Sequence, residues 1–185
     1  MVEEHIADMC APTLAGFKCG SLFNIKVDYR ILSDKISEVN SQLVPHGIIA
    51  TVFRLKCCTL IYVYRDDLLR RMTEPDSRVS GFLEKLGYCT TSTETLIDSL
   101  RRRIDENGWV PHEIGLFLGY PYDDVMGFIR DGGKHAKCSG CWRVYGSVED
   151  ARRMFLAIKR CRDDFRRRYS MGISLSQLAN SAATA

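Results

Sequence analysis

Hydrophobic positions along this chain switch repeatedly between a helical and an extended period. From Val2 to Phe17, the residues Ile6, Met9 and Cys10 fall at helical spacing until Pro12 interrupts or restarts a turn. Ser21 to Val27 then alternates Leu22, Asn24 and Lys26 against Phe23, Ile25 and Val27, the two-residue period of a half-buried strand. Asp28 is placed to cap a helix striped by Leu32, Ile36, Val39 and Leu43, which ends before Pro45-His46-Gly47. Ile48 to Leu55 and Thr59 to Tyr64 are rich in β-branched and aromatic residues. Only Lys56-Cys57-Cys58 separates them, too few residues for a crossover helix, so an antiparallel hairpin is predicted.

Helical spacing resumes at Asp66 to Met72, then at Val79, Phe82, Leu83 and Leu86 until Gly87, and again from Leu96 to Ile104 before Asn107-Gly108. The chain is organised around the stretch Val110 to Arg130. Ile114, Phe117 and Leu118, then Val125, Phe128 and Ile129, give two short amphipathic helices broken by Gly119-Tyr120-Pro121. Pro111 suits a first helical turn, which brings His112 and Glu113 into that turn, while Asp123 and Asp124 open the second helix. Asp131 to Cys141 reads as a mobile surface loop and Trp142 to Tyr145 as a short strand. Ser147 and Asp150 then start a helix striped by Ala151, Phe155, Ile158, Cys161, Phe165 and Tyr169. At about 22 residues it spans roughly 33 Å. Leu175 and Leu178 add a last turn, and the tail from about residue 180 to 185 is expected to fray.

This order predicts an α+β fold, a small mixed or antiparallel sheet of about four strands packed on several helices, within one domain covering residues 1–185. Composition is ordinary for a globular chain, with 45% hydrophobic and 26% charged residues. No apolar run approaches the roughly 20 residues needed to span a bilayer, and Met-Val-Glu-Glu-His lacks the layout of a signal peptide, so a cytoplasmic protein without membrane attachment is expected. In that compartment the eight cysteines are mostly reduced thiols. A net charge of +3 is too small to imply a polyanionic partner, although basic residues crowd the last third of the chain.

Four blocks occur in order: Ala11 to Lys18, Tyr62 to Arg65, Pro111 to Pro121 and Gly140 to Tyr145. Together they resemble the domain-of-unknown-function family 3793 of anaerobic, clostridia-like bacteria, over most of the chain from about Cys10 to Leu178. The resemblance carries no assigned reaction. What it implies is a link to redox or iron metabolism and a flavodoxin-type redox partner, through the genes that neighbour its members. Arg143 stands where the family pattern leads one to expect lysine, which keeps the charge and changes the geometry.

The blocks nominate a site for a small-molecule ligand. His112 can exchange a proton near neutral pH, with Glu113 to orient or accept it and Tyr120 beside them, so these three are the catalytic candidates. Lys18 and Arg65 can hold an anionic group, and Tyr64, Trp142 and Arg143 complete the ligand-binding candidates. His112, Glu113, Lys18 and Arg65 are expected to converge in one cleft. The bland reading is a helix start with an acid in its first turn, Arg65 paired to Asp66 or Glu113, and a tyrosine buried at a corner.

His112-Glu113 begins like a zinc-protease helix, but Leu116 occupies the second ligand position. His135, Cys138 and Cys141 have ligand-like spacing, with Cys57, Cys58 and Cys161 as remote partners, so a metal site or a redox dithiol at Cys138 and Cys141 competes with unremarkable thiols. The cofactor is left open among zinc, iron, haem and flavin. The two central helices imitate a helix-turn-helix, yet the second leads with Asp123 and Asp124, which opposes phosphate contact and disfavours nucleic acid.

Overall fold

A computed structural model describes residues 2–25, 29–56, 58–75 and 77–180. The expected cap Asp28, the strand end at Lys26 and Val27, Cys57 and the tail beyond Asn180 lie outside these residues. Strands β1 (Gly20–Ile25), β2 (Ile48–Arg54) and β3 (Thr59–Arg65) form an antiparallel sheet in the order β1-β3-β2. The predicted hairpin is therefore present, with Ala50 opposite Val63 and Val52 opposite Ile61, and β1 joins its free side.

The central strand explains the architecture. β3 is buried at six successive positions from Thr59 to Tyr64, which requires cover on both faces of the sheet. Its alternation sends Ile61 and Val63 into one core with Phe23, Ile25, Ala50 and Val52. Leu60, Tyr62 and Tyr64 enter a second core with Phe53. Over the first face pack α1 (Val2–Met9), α2 (Ala11–Leu14) and α3 (Tyr29–Leu43), joined by α9 (Val148–Ser170) through Cys161 and Phe165, and by α10 (Leu175–Asn180). The second face receives α4 (Asp66–Met72), α5 (Arg78–Lys85), α6 (Thr93–Asn107), α7 (Ile114–Phe117) and α8 (Tyr122–Asp131). The outer edge of β2 is closed by side chains: Asn40 bonds both the amide and the carbonyl of Ala50, at 2.8 and 2.9 Å, and Arg101 donates to the Val52 carbonyl at 2.6 Å.

One segment departs from its sequence reading. Glycines and lysines between Asp131 and Cys141 imply a mobile loop, but β4 (Cys138–Ser139) pairs with β5 (Arg143–Val144) as a separate antiparallel hairpin. Its stem is tied by the Lys137 amide to the Val144 carbonyl at 2.8 Å, by Lys137 Nζ to the Gly146 carbonyl at 2.8 Å and by the Tyr145 hydroxyl to the Lys134 carbonyl at 2.9 Å. Composition reports no such long-range bonds, so the loop reading fails there. The predicted strand at Trp142 to Tyr145 shortens to Arg143–Val144 and stays apart from the main sheet.

The start of β1 tests how tightly the two layers meet. A Cβ on Gly20 would lie 2.3 Å from the Phe117 carbonyl oxygen and 2.6 Å from the Tyr62 ring, whereas one on Gly81 in α5 meets nothing within 4 Å. Gly20→Ala is expected to lower stability by roughly 1–3 kcal/mol through overpacking. Gly81→Ala is expected to be stabilising by up to about 1 kcal/mol, because it only removes backbone freedom from the unfolded chain. Urea unfolding midpoints check both, and an unchanged midpoint for Gly20→Ala contradicts the packing described.

Candidate functional site

Two buried carboxylates fix the geometry around α7 and α8. Glu113, immediately before α7, is buried, and its Oε1 accepts from the Tyr88 hydroxyl at 3.0 Å and from Arg103 Nε at 2.9 Å. Burial first, and then the adjacent Glu113 charge, push the Tyr88 phenol upward, so it remains a donor. At the other end of α7 the Phe117 carbonyl accepts from the Tyr62 hydroxyl at 2.7 Å and from Cys19 Sγ at 3.3 Å. Gly119 then turns the chain in the left-handed region, φ 76°, where a side chain would also press on the Cys19 amide. The corner is thus pinned to both the sheet and α6.

Asp124 is the second carboxylate, 3% exposed in the first turn of α8. Its Oδ1 accepts from the backbone amides of Tyr145 and Gly146 at 2.7 and 2.6 Å, and its Oδ2 from Trp142 Nε1 at 2.6 Å. These charge-assisted bonds hold the β4–β5 hairpin against the start of α8. Close packing completes the junction. A Cβ on Gly127 would fall 2.4 Å from the Tyr145 ring, and one on Gly140 would fall 2.2 Å from the Phe155 ring of α9.

Between the corner and the hairpin opens a cleft of about 440 Å³. Val110, Ile114, Val125 and Phe128 give it apolar walls, and Trp142 closes the hairpin side. Trp142 stacks on Tyr120 with ring centres 4.9 Å apart and meets Phe155 edge-on at 4.6 Å, so its indole is held from three sides. Polar groups are few. His112, exposed at the rim, has its ring 5.1 Å from Phe128 and 5.5 Å from Trp109. Arg143 donates one Nη1 bond to the Gly133 carbonyl, and among the described residues His112 and Ser139 side chains make no hydrogen bond. Asp124 also lines the cleft, but its carboxylate is already engaged by three donors.

The sequence-predicted residues are not gathered in one place. His112, Tyr120, Trp142 and Arg143 share the cleft. Glu113 turns away from it toward Tyr88 and Arg103, and Tyr64 lies in the second core, 5.2 Å from the Tyr62 ring centre. Arg65 donates to the Leu14 carbonyl at 2.8 Å, approaches Asp67 at 3.6 Å and lines a different groove, against α9. Lys18 lies behind the cleft wall, its ammonium 5.4 Å from the Tyr120 ring centre, and burial lowers its pKa. The four residues His112, Glu113, Lys18 and Arg65 therefore do not converge in one cleft. Burial pushes the Tyr120 phenol up to about 12, so near neutral pH it is a donor rather than a base.

Cys138 lies in β4, paired with Val144, whereas Cys141 is exposed in the three-residue turn and His135 is exposed with φ 58°. Among the described residues no three His, Cys, Asp or Glu side chains are grouped to hold a metal ion. Cys161 is buried in the first core, remote in sequence and in packing partners from the hairpin. Sequence reasoning does not single out Asp124, Val110, Ile114, Phe128 or Ser139 as site residues. Gly127, a glycine inside an otherwise helical run, is the one local signal of a close approach there.

Asp124→Asn keeps the shape of the hub but presents an amide to three donors. Leaving buried N–H groups short of an acceptor is expected to cost roughly 1–3 kcal/mol. Chemical unfolding followed by tryptophan fluorescence checks this, since Trp142 is one of the three donors. A midpoint equal to that of the unmodified chain contradicts the assignment.

No match was found among curated proteins or among solved structures. A family profile does match, from residue 6 to residue 179, nearly the whole chain. The matched range includes both the α7 corner and the hairpin that together frame the cleft. By that coverage the chain belongs to the family described as "Protein of unknown function (DUF3793)".

Proposed function

We propose that this protein is a small-molecule binder whose site is the cleft between the α7–α8 corner and the β4–β5 hairpin. The observation that carries the reading is the contrast within that cleft. Its walls are apolar and aromatic, its volume of about 440 Å³ suits a small organic ligand, and its polar side chains with capacity to bond a ligand are few: His112 on the corner, Ser139 and part of Arg143 on the hairpin. A planar apolar body fits against Trp142 and Phe128. An acceptor or anionic edge on that body is matched by His112, Ser139 and the remaining donors of Arg143, whereas the one acid in the lining already accepts three bonds from the protein.

This reading differs from a His112–Glu113 acid–base pair. Glu113 serves instead to anchor the corner that presents His112, because both its neighbours are donors from other helices or loops. Tyr120 acts as a wall that keeps Trp142 upright. Lys18 supports that wall through its ammonium–ring contact and contributes positive potential behind it.

The test is a fluorescence titration with 1-anilinonaphthalene-8-sulfonate, an aromatic anion with a flat naphthalene body, using energy transfer from Trp142 and Trp109. Saturable binding to the native protein is expected, with planar aromatic carboxylates displacing the probe better than their neutral amides. Ser139→Trp, which fills the cleft from an exposed position, and Arg143→Met are each expected to weaken binding by about tenfold or more, on the order of 1.4 kcal/mol. Absence of saturable binding, or indifference to Ser139→Trp, removes the cleft as a ligand site.

A further inference from the structure

The outer side of α9 has chemistry that the cleft does not use. This helix carries eight basic residues and only four acidic ones, while the formal net charge of the whole chain is +3. Its acids are already matched. Glu149 and Asp150 pair with Arg153, Asp163 with Arg166, and Asp164 with Arg167 and Arg168, while Arg162 and Arg166 reach Asp8 of α1. Arg152, Lys159 and Arg160 make no ion pair among the described residues.

Those three cations surround one exposed leucine. Leu156, 57% exposed, has Arg152 one turn before it and Lys159 and Arg160 one turn after it, so all four share a single helix face. Beside this face runs a groove of about 810 Å³ between α9 and the segment joining α2 to β1. Phe17, 49% exposed, and Leu68 form one apolar bank, with Ala157 and Phe165 opposite. The groove exists because small residues, Ala15, Gly16 and Ala157, face one another across it. Of its charged groups, Asp67 is met by Arg65 at 3.6 Å and Asp164 is shared by two arginines, which leaves Arg160 as the unmatched charge at the rim.

We propose that this groove and the adjoining face of α9 are a docking surface for an acidic segment of a partner protein, one that inserts an apolar or aromatic side chain between Phe17 and Ala157. Carboxylates flanking that anchor meet Arg152, Lys159 and Arg160 in an apolar centre with a charged rim, the usual layout of a protein interface. A bilayer is flat and has no use for the concavity. A nucleic-acid duplex needs more phosphate contacts than three cations provide for tight binding.

Panning a displayed random-peptide library on the purified full chain tests this whatever the identity of the partner. The expected enrichment is for peptides that combine several Asp or Glu residues with one aromatic or large aliphatic residue. A synthetic copy, followed by fluorescence anisotropy, is expected to lose about tenfold or more in affinity against Arg160→Glu and against Leu156→Asp. It is also expected to bind more weakly as salt rises from about 50 to about 300 mM. Both substituted positions are exposed, so unchanged unfolding midpoints are expected alongside. Ser139→Trp is expected to leave peptide affinity unchanged, which separates this surface from the cleft.

The proposal is overturned if no acidic consensus is enriched or if the peptide ignores both substitutions. It is equally overturned if phosphatidylserine vesicles or duplex DNA bind through Leu156 and Arg160 in preference to the peptide.

Discussion

One buried carboxylate holds the candidate site together. Asp124 gathers two backbone amides and an indole N–H from a hairpin that has only two residues in each strand and, among the described residues, no hydrogen bond to the main sheet. A ribbon that short is not stable on its own in water. Its position therefore depends on what it docks against, and Asp124 supplies the directional part while Gly127 and Gly140 permit close approach to α8 and α9. The same carboxylate lines the cleft, so most of its acceptor capacity is spent on holding the hairpin. Charge recognition then falls to Arg143 and His112.

The sheet determines where such a hollow can form. Both faces of β3 are covered by packed side chains, one core on each side of the sheet. The two hollows described above lie where helices meet irregular segments: the α7–α8 corner against the hairpin, and α9 against the α2–β1 connection. The two share α9 as a support, through Phe155 beneath the hairpin and through Ala157 and Phe165 in the groove. One is aromatic with a few donors, the other is rimmed by arginines, and this division of chemistry underlies their assignment to a small ligand and to an acidic protein segment.

Much of the architecture is legible from periodicity, for a physical reason. The β2–β3 hairpin, the corner at Gly119 and the long helix after Ser147 are set by local burial pattern and by capping, which neighbouring residues encode. Of the hairpin from Cys138 to Val144 only the second strand is legible; β4 and its pairing are not, because they depend on Asp124 and on packing against Phe155 rather than on strand-forming residues. At the site, the sequence blocks indicate His112, Tyr120, Trp142 and Arg143, which share the cleft. They do not reveal that Glu113 turns inward to Tyr88 and Arg103, nor that Arg65 belongs to a separate groove. Adjacent residues near a helix start point in different directions, and a motif alone does not say which faces the solvent.

Amide hydrogen exchange at Tyr145 and Gly146 tests the account most directly, because it reads the Asp124 bonds in the intact protein. Both amides lie in a connection without regular structure, where exposed backbone exchanges rapidly. Protection of both, retained at times when neighbouring loop amides have fully exchanged, is the predicted result. Exchange as fast as that of an unstructured loop would mean that the hairpin is not held by Asp124, and the cleft would have no fixed wall.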